Sequence, residues 1–443
     1  MAAFQDLPNE IIHQILSIVY RSYNPLHDST PRLKTLLSIG RVSRRFRKNA
    51  ERFIYQDVDI GYCPNSTARH RRPWQLLRTL ISRPYFAAYI KNIKIRWGTE
   101  HKPRVTSHER SLFTAAASKC GLELAVRWEG DQALLLCHML KSVENLVISY
   151  PPDFGPNFTD PFGLLREYTP SLPAAPGTPR LSAIGMQSVR SLTVYAEYST
   201  TAQHIIPMLL LPNLKSFTAH HVITTSIIPE NPAWHGASSV TDLRLLGCEL
   251  HGSTLAILFR IANKVNHLEY DDAGGLFNPT HICDEAFPAA LQILKPTLQY
   301  LMVNLGKVHS RDGTHGKVGK LRDFPMLREV VCNYGSIWGM TCSTFTPGVA
   351  WQLNFTAVLP VNLEIFEVCF PWEFTISWLA EMLKEVETGF LRMNTLKIHP
   401  MGKYGNKGKR FIKKLRRKAE RVGVKVGLAK VVGNRICGYS YSN

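Results

Sequence analysis

A short apolar unit that recurs through most of the chain constrains its fold more than any other feature. Three-residue strand cores start 25 to 36 residues apart from Leu192 onward. Repeats of this length predict a solenoid, because each unit can bury its apolar face only against its neighbours. The predicted strand cores are residues 93–95, 146–148, 192–194, 217–219, 243–245, 268–270, 301–303, 330–332, 366–368 and 396–398.

Alternation within these strand cores predicts two different faces. The first and third side chains would point to the core, and the middle side chain would point to the open face. The middle residue is often polar, as at Lys94, Arg244, Glu269, Glu367 and Lys397. Helical stretches separate the strands, so we expect an α/β solenoid. An ordinary α/β sheet domain is the alternative, because the repeats vary in length.

The first fifty residues have a different, helical pattern. Pro8 suits a first helical turn, where its missing N–H costs nothing. Apolar residues then recur at helical spacing in three segments, of which the third carries Phe46, Ala50 and Phe53. A bundle of roughly 45 residues has little core of its own, so it needs a neighbour in the chain or a partner.

These amino-terminal residues resemble a known family. The opening Leu7-Pro8-Asn9-Glu10-Ile11-Ile12, with Val42-Ser43-Arg44-Arg45-Phe46 about thirty residues on, resembles the F-box, although residues 22–31 look inserted. The resemblance implies docking on the Skp adaptor and, through it, on a cullin. A helical hairpin that belongs to the protein's own core is the alternative. The adaptor-binding residues that the resemblance implies are Leu7, Pro8, Ile11, Ile12, Ile15, Leu16, Leu37 and Val42.

The repeats that follow resemble the irregular leucine-rich repeats found behind F-boxes in fungal proteins. The resemblance implies a three-helix F-box followed by a repeat array with parallel strands on its concave face. We expect an F-box domain at 1–60, a linker helix region at 61–90, the repeat domain at 91–432 with a basic capping helix at 408–422, and a tail at 433–443.

Positive charge is concentrated near the carboxyl end. The whole chain has a formal net charge of +19, and residues 403–435 hold thirteen lysines or arginines and one acid, Glu420. The segment is interpreted as a solvated face of the capping helix, as a nuclear-import signal, or as an anion-binding surface that contacts RNA or DNA phosphates. The residues proposed for import or anion binding are Lys413, Lys414, Arg416, Arg417 and Lys418.

Motifs for chemistry are absent from the sequence. It has no serine nucleophile elbow, no phosphate-binding glycine loop, no His-Glu-x-x-His pair and no Cys-x-x-Cys pair. We therefore expect no catalytic residues, no metal and no cofactor. The chain also lacks a secretory signal and an 18-residue apolar run, which favours a nuclear or cytoplasmic location without a membrane partner.

Taken together, the patterns favour a non-catalytic receptor. The resemblance implies the substrate-recognition subunit of a Skp–cullin–F-box ubiquitin ligase. In that role the F-box would bind the adaptor, and the repeats would bind a target protein that is acidic or phosphorylated. The alternative is a basic RNA- or chromatin-associated scaffold with no ligase role, although no recognised nucleic-acid-binding fold is present.

Overall fold

A computed structural model describes most of the chain. The described residues are 7–22, 30–61, 73–96, 106–120, 122, 135–150, 186–196, 201–224, 228, 230–272, 286–305, 318–333, 358–371, 375–388, 392–401 and 406–428. The predicted tail at 433–443 lies outside them. The chain divides into two compact units, residues 1–192 and 193–443.

Three helices begin the first unit: α1 (Asn9–Ser22), α2 (Thr30–Val42) and α3 (Arg44–Gln56). Ser43 separates α2 from α3, because its side chain caps α3 by accepting a hydrogen bond from the Phe46 amide. The helices close around a core of their own, with further apolar side chains packed at its edge. The core residues are Ile12, Leu16, Leu36, Phe46, Ala50, Phe53 and Ile54.

The rest of the first unit is sheet and helix. Strands β1 (Asp57–Gly61), β2 (Asn92–Arg96) and β3 (Asn145–Ser149) pair in parallel. Helices α4 (Pro73–Ser82) and α5 (Ser107–Lys119) and a 3-10 helix (Pro84–Ala88) lie between them in sequence. β1 was not predicted; it follows α3 directly.

The second unit repeats the strand-and-helix pattern. Its strands are β4 (Ser191–Tyr195, which spans the unit boundary), β5 (Ser216–His220), β6 (Asp242–Cys248), β7 (His267–Asp272), β8 (Tyr300–Asn304), β9 (Glu329–Asn333), β10 (Ile365–Pro371), β11 (Thr395–Met401) and β12 (Lys425–Leu428). Its helices are α6 (Ala202–Leu209), α7 (Gly252–Ile261), α8 (Ala286–Leu291), α9 (Thr375–Glu387) and α10 (Asn406–Arg421).

Strand order follows chain order within each unit, and the pairing is parallel wherever its register is resolved. All ten predicted strand cores lie inside strands. The predicted alternation of burial is present in β2 to β7 and in β11; in β5, for example, Phe217 and Ala219 are buried while Ser216, Thr218 and His220 are half-buried. In β8, β9 and β10 the middle residues Met302, Val331 and Glu367 are buried as well. The solenoid-like α/β arrangement predicted from the repeat is therefore confirmed.

Candidate functional site

The structure divides the predicted adaptor-binding residues between the surface and the interior. Ile11, Leu37 and Val42 are exposed by 38%, 41% and 64%. Pro8 is also exposed, and Leu7 and Ile15 are half-buried. These residues remain accessible to a partner.

Ile12 and Leu16 require a correction. Both are fully buried in the core of the three helices, against α3 residues such as Phe46 and Phe53. A side chain enclosed in this way cannot form the first contact with another protein. Their apolar character is explained by packing within the chain, which the sequence alone did not separate from docking.

Ile18 is a surface residue that the sequence reasoning missed. It is exposed by 68%, more than Ile11, Leu37 or Val42. Ile18 lies seven positions after Ile11, so the two residues are on the same side of α1. The seven-residue interval was the signal that could have identified it.

A polar network fixes the three helices to the sheet of the first unit. Asp57, the first residue of β1, accepts hydrogen bonds from the Tyr20 hydroxyl of α1 and the Asn92 amide of β2. Arg32 of α2 is 6% exposed, and its Nη1 lies 2.7 Å from Asp57 Oδ2. The Arg32 guanidinium also lies 4.5 Å from the centre of the Tyr20 ring. One carboxylate thus joins two helices and two strands.

Burial and the neighbouring Asp57 both raise the pKa of the Tyr20 hydroxyl. Burial raises the pKa of its hydroxyl well above the usual range, and the hydrogen bond to Asp57 raises it further. The hydroxyl therefore stays protonated and keeps donating to Asp57 at any physiological pH. Asn92 extends the network by accepting a hydrogen bond from Asn145 of β3.

The open face of the second unit's sheet carries neighbouring charges that largely pair with one another. Arg244 Nε lies 3.0 Å from Asp242 Oδ1, and Glu269 lies 3.1 Å from His267 Nε2. His267 also stacks on Tyr300, with 3.9 Å between ring centres. This face is therefore a hydrogen-bonded polar surface with aromatic groups.

A second charged group lies on β9 to β11. Lys397 Nζ is 3.0 Å from Glu367 Oε2, and His399 bonds to the other oxygen of Glu367. The hydrogen bond from His399 lowers the pKa of Glu367 despite its burial. Burial instead raises the pKa of Glu329, whose distance from Lys397 is 4.0 Å.

Carboxylates outnumber lysines and arginines on this face. Burial raises the pKa of one of them, Asp271, to about 6, although Asn304 and the Gly247 backbone donate hydrogen bonds to it. The positive net charge of the chain is therefore not located here. The acids are Asp242, Glu269, Asp271, Glu329 and Glu367, and the bases are Arg244, Lys397 and Lys425.

Helix α10 carries the predicted basic residues. Lys413, Lys414, Arg416 and Arg417 are exposed, and Lys418 is half-buried. On the opposite side Ile412, Leu415 and Ala419 are buried, where α10 packs against α9 and β12. Gly423 ends the helix with a positive φ of 77°, as the sequence predicted.

The described ranges contain buried cysteines whose thiols are unreactive. Burial raises the pKa of the Cys137 and Cys248 thiols to about 12, so neither forms a thiolate nucleophile at neutral pH. Within the same ranges, no group of three or more histidine, cysteine or acidic side chains is placed to hold a metal ion. No helix among the described residues is long and apolar enough to cross a membrane.

Comparison of the sequence with protein-family models gives no match, and comparison with curated proteins gives none either.

Proposed function

We propose that the protein is the substrate-recognition subunit of a Skp–cullin–F-box ubiquitin ligase. The main support is the apolar surface of α1 and α2. The three amino-terminal helices already enclose a core, yet Ile11, Ile18, Leu37 and Val42 remain outside it. Apolar side chains exposed on a small helical bundle are candidates for contact with another protein.

The contact with the adaptor is made by this outer set. Ile11 and Ile18 supply one side of α1, and Pro8 lies just before that helix. Leu37 and Val42, which are about 140° apart around the helix, supply two sides of α2. Ile12 and Leu16 act indirectly, because they hold the helices in the arrangement that presents the outer residues.

The contribution of such a receptor to catalysis is proximity. A receptor accelerates ubiquitin transfer by holding a target lysine near the charged enzyme, which raises its effective concentration. That effect depends on a fixed distance between the adaptor site and the target site. Within the first unit, the Asp57 network holds α1 and α2, which carry the proposed adaptor site, on β1 and β2 through buried polar contacts.

The target is a protein, and the open face of the second unit does not favour an acidic or phosphorylated one. Its carboxylates outnumber its lysines and arginines. Arg244 and Lys397 are already paired with Asp242 and Glu367. A phosphorylated target would have to displace these pairs. The expectation of an acidic target, drawn from the net charge of the chain, therefore has no support on this surface.

A binding measurement with purified adaptor tests the proposal. Ile18→Asp combined with Leu37→Asp should weaken adaptor binding about thirtyfold or more, because a carboxylate buried in an apolar interface has no partner. Met326→Asp is the matched control, since Met326 is an exposed apolar residue of the second unit. It should bind the adaptor as the unmodified chain does.

Ile12→Asp distinguishes packing from docking. Because Ile12 is fully buried, this change should unfold the three helices, whereas the Ile18→Asp, Leu37→Asp variant should retain its helical circular dichroism. Equal adaptor binding by the unmodified chain and the folded surface variant would refute the proposed interface.

A further inference from the structure

Five cations form a continuous stripe along α10. At 3.6 residues per turn they lie within about 100° of arc, and at 1.5 Å per residue the stripe is about 16 Å long. The buried residues Ile412, Leu415 and Ala419 lie on the opposite side of the helix. We name this set the α10 stripe; its members are the exposed residues Arg410, Lys413, Lys414, Arg417 and Arg421.

Within the described part of the chain, no acid forms an ion pair with the α10 stripe. Among the described residues, no carboxylate oxygen lies within 4 Å of any of its five cationic groups. Glu420, the one acid of α10, is three positions after Arg417 and next to Arg421, but it forms an ion pair with neither. Apart from the adjacent Lys413 and Lys414, neighbouring cations are three or four positions apart, so they repel one another along the helix. Their charge is therefore available to an external anion.

We propose that the α10 stripe binds the sugar–phosphate backbone of a nucleic acid, independently of base sequence. This inference does not rest on the proposed ligase role, because it uses different residues in the other compact unit. A nucleic acid is a linear anion with one charge per 1.7 Å of duplex axis, which suits a straight row of cations. Lysine and arginine are the side chains that bind such phosphates through charge-assisted hydrogen bonds.

The packing of α10 makes two other partners less suitable. A membrane-surface helix inserts its apolar face into lipid, but Ile412, Leu415 and Ala419 face the protein's own interior. An import receptor that reads residues 413–418 as a consecutive stretch would have to extract the buried Leu415. By contrast, a sugar–phosphate backbone carries charge along its length and can contact the exposed stripe while α10 stays folded.

Salt dependence of binding gives the quantitative test. The full chain is titrated into a fluorescently labelled single-stranded RNA or a labelled duplex DNA, and binding is followed by anisotropy. With five phosphate contacts, the slope of log affinity against log salt should be about −3.5 for the single strand or about −4.5 for the duplex. Raising salt from 50 to 200 mM should then weaken RNA binding about a hundredfold.

Charge removal at the stripe should change that slope. The double variant Lys413→Gln, Arg417→Gln should make the slope of log affinity against log salt less negative, by about 1.4 on RNA or about 1.8 on duplex DNA. The matched control is Arg47→Gln with Lys48→Gln, which removes two exposed charges from α3 and should leave the slope unchanged. Lys413→Arg with Arg417→Lys keeps the charges and should bind normally.

Four outcomes would overturn the proposal. The first is a slope shallower than about −1 with both nucleic acids. The second is an equal loss in the stripe variant and the α3 control. The third is binding to vesicles of equal parts phosphatidylserine and phosphatidylcholine that matches or exceeds binding to RNA. The fourth is equally strong binding to polyglutamate, which would show a general attraction for anions. A difference in affinity between RNA and DNA would show which backbone the stripe prefers.

Discussion

Removing the Asp57 side chain should loosen the three amino-terminal helices from the first unit's sheet. Asp57→Ala leaves Arg32, a guanidinium only 6% exposed, without its carboxylate partner 2.7 Å away. It also removes the acceptor for the Tyr20 hydroxyl and the Asn92 amide. Removing one member of a buried pair costs about 3–5 kcal/mol. The Asp57 side chain retains 20% exposure, so we expect about 3 kcal/mol.

Hydrogen exchange measured by mass spectrometry suits this prediction, because it reports local opening within a chain of two compact units. A loss of about 3 kcal/mol should raise the exchange rate of protected amides in α1 and α2 by about a hundredfold. Amides of the second unit should be unaffected.

Asp59→Ala is the matched control in the same strand. Asp59 pairs with Arg96 at 2.6 Å, but both side chains are about one-third exposed. Such a pair contributes at most about 1 kcal/mol. If the amides of α1 and α2 exchange at the same rates in Asp57→Ala as in Asp59→Ala, the conclusion that Asp57 holds these helices on the sheet is refuted.

Three further variants test the second unit. Asp271→Asn should stabilise the protein by about 1–3 kcal/mol above pH 6, where the unmodified carboxylate is ionised despite its burial. The folded-state pKa of about 6 exceeds the usual 3.8, so the added stability of the variant should disappear as pH falls below about 4. A stability difference that does not change with pH would contradict this explanation. Gly252→Ala should destabilise by about 1–3 kcal/mol, because its Cβ would lie 2.1 Å from the Ala286 Cβ. Gly423→Ala meets no neighbour within 4 Å and should cost about 1 kcal/mol through its positive φ alone; equal melting temperatures for the two glycine variants would contradict the steric argument.

The strands could be predicted because their signal is local. In each core, two apolar residues flank a residue on the open face, and this alternation needs no knowledge of the partner strand. β1 was missed although Val58, Asp59 and Ile60 have the same alternation as the predicted cores, because the strand follows α3 without a break. Without a turn between them, the apolar residues of β1 are easily assigned to the end of the helix.

The site could be predicted only in outline. The apolar stripe of α1 is wider than its neighbours can cover, so composition could not show that Ile12 would be buried and Ile18 exposed. That division depends on how α3 packs against α1. The Asp57 network joins residues 25 to 37 positions apart, and no spacing rule connects them. Net charge likewise gave no information on which surface is basic.

Because each resolved strand of the second unit pairs only with the strands before and after it, the unit can be taken apart from one end. Tension applied at the carboxyl end would first detach β12 together with α10 and then release the remaining strands one by one. Each release would free about 30 residues, or about 100 Å of extended chain. The unit should yield to a pulling force in a series of small steps, whereas a sheet with interleaved strands must rupture all at once.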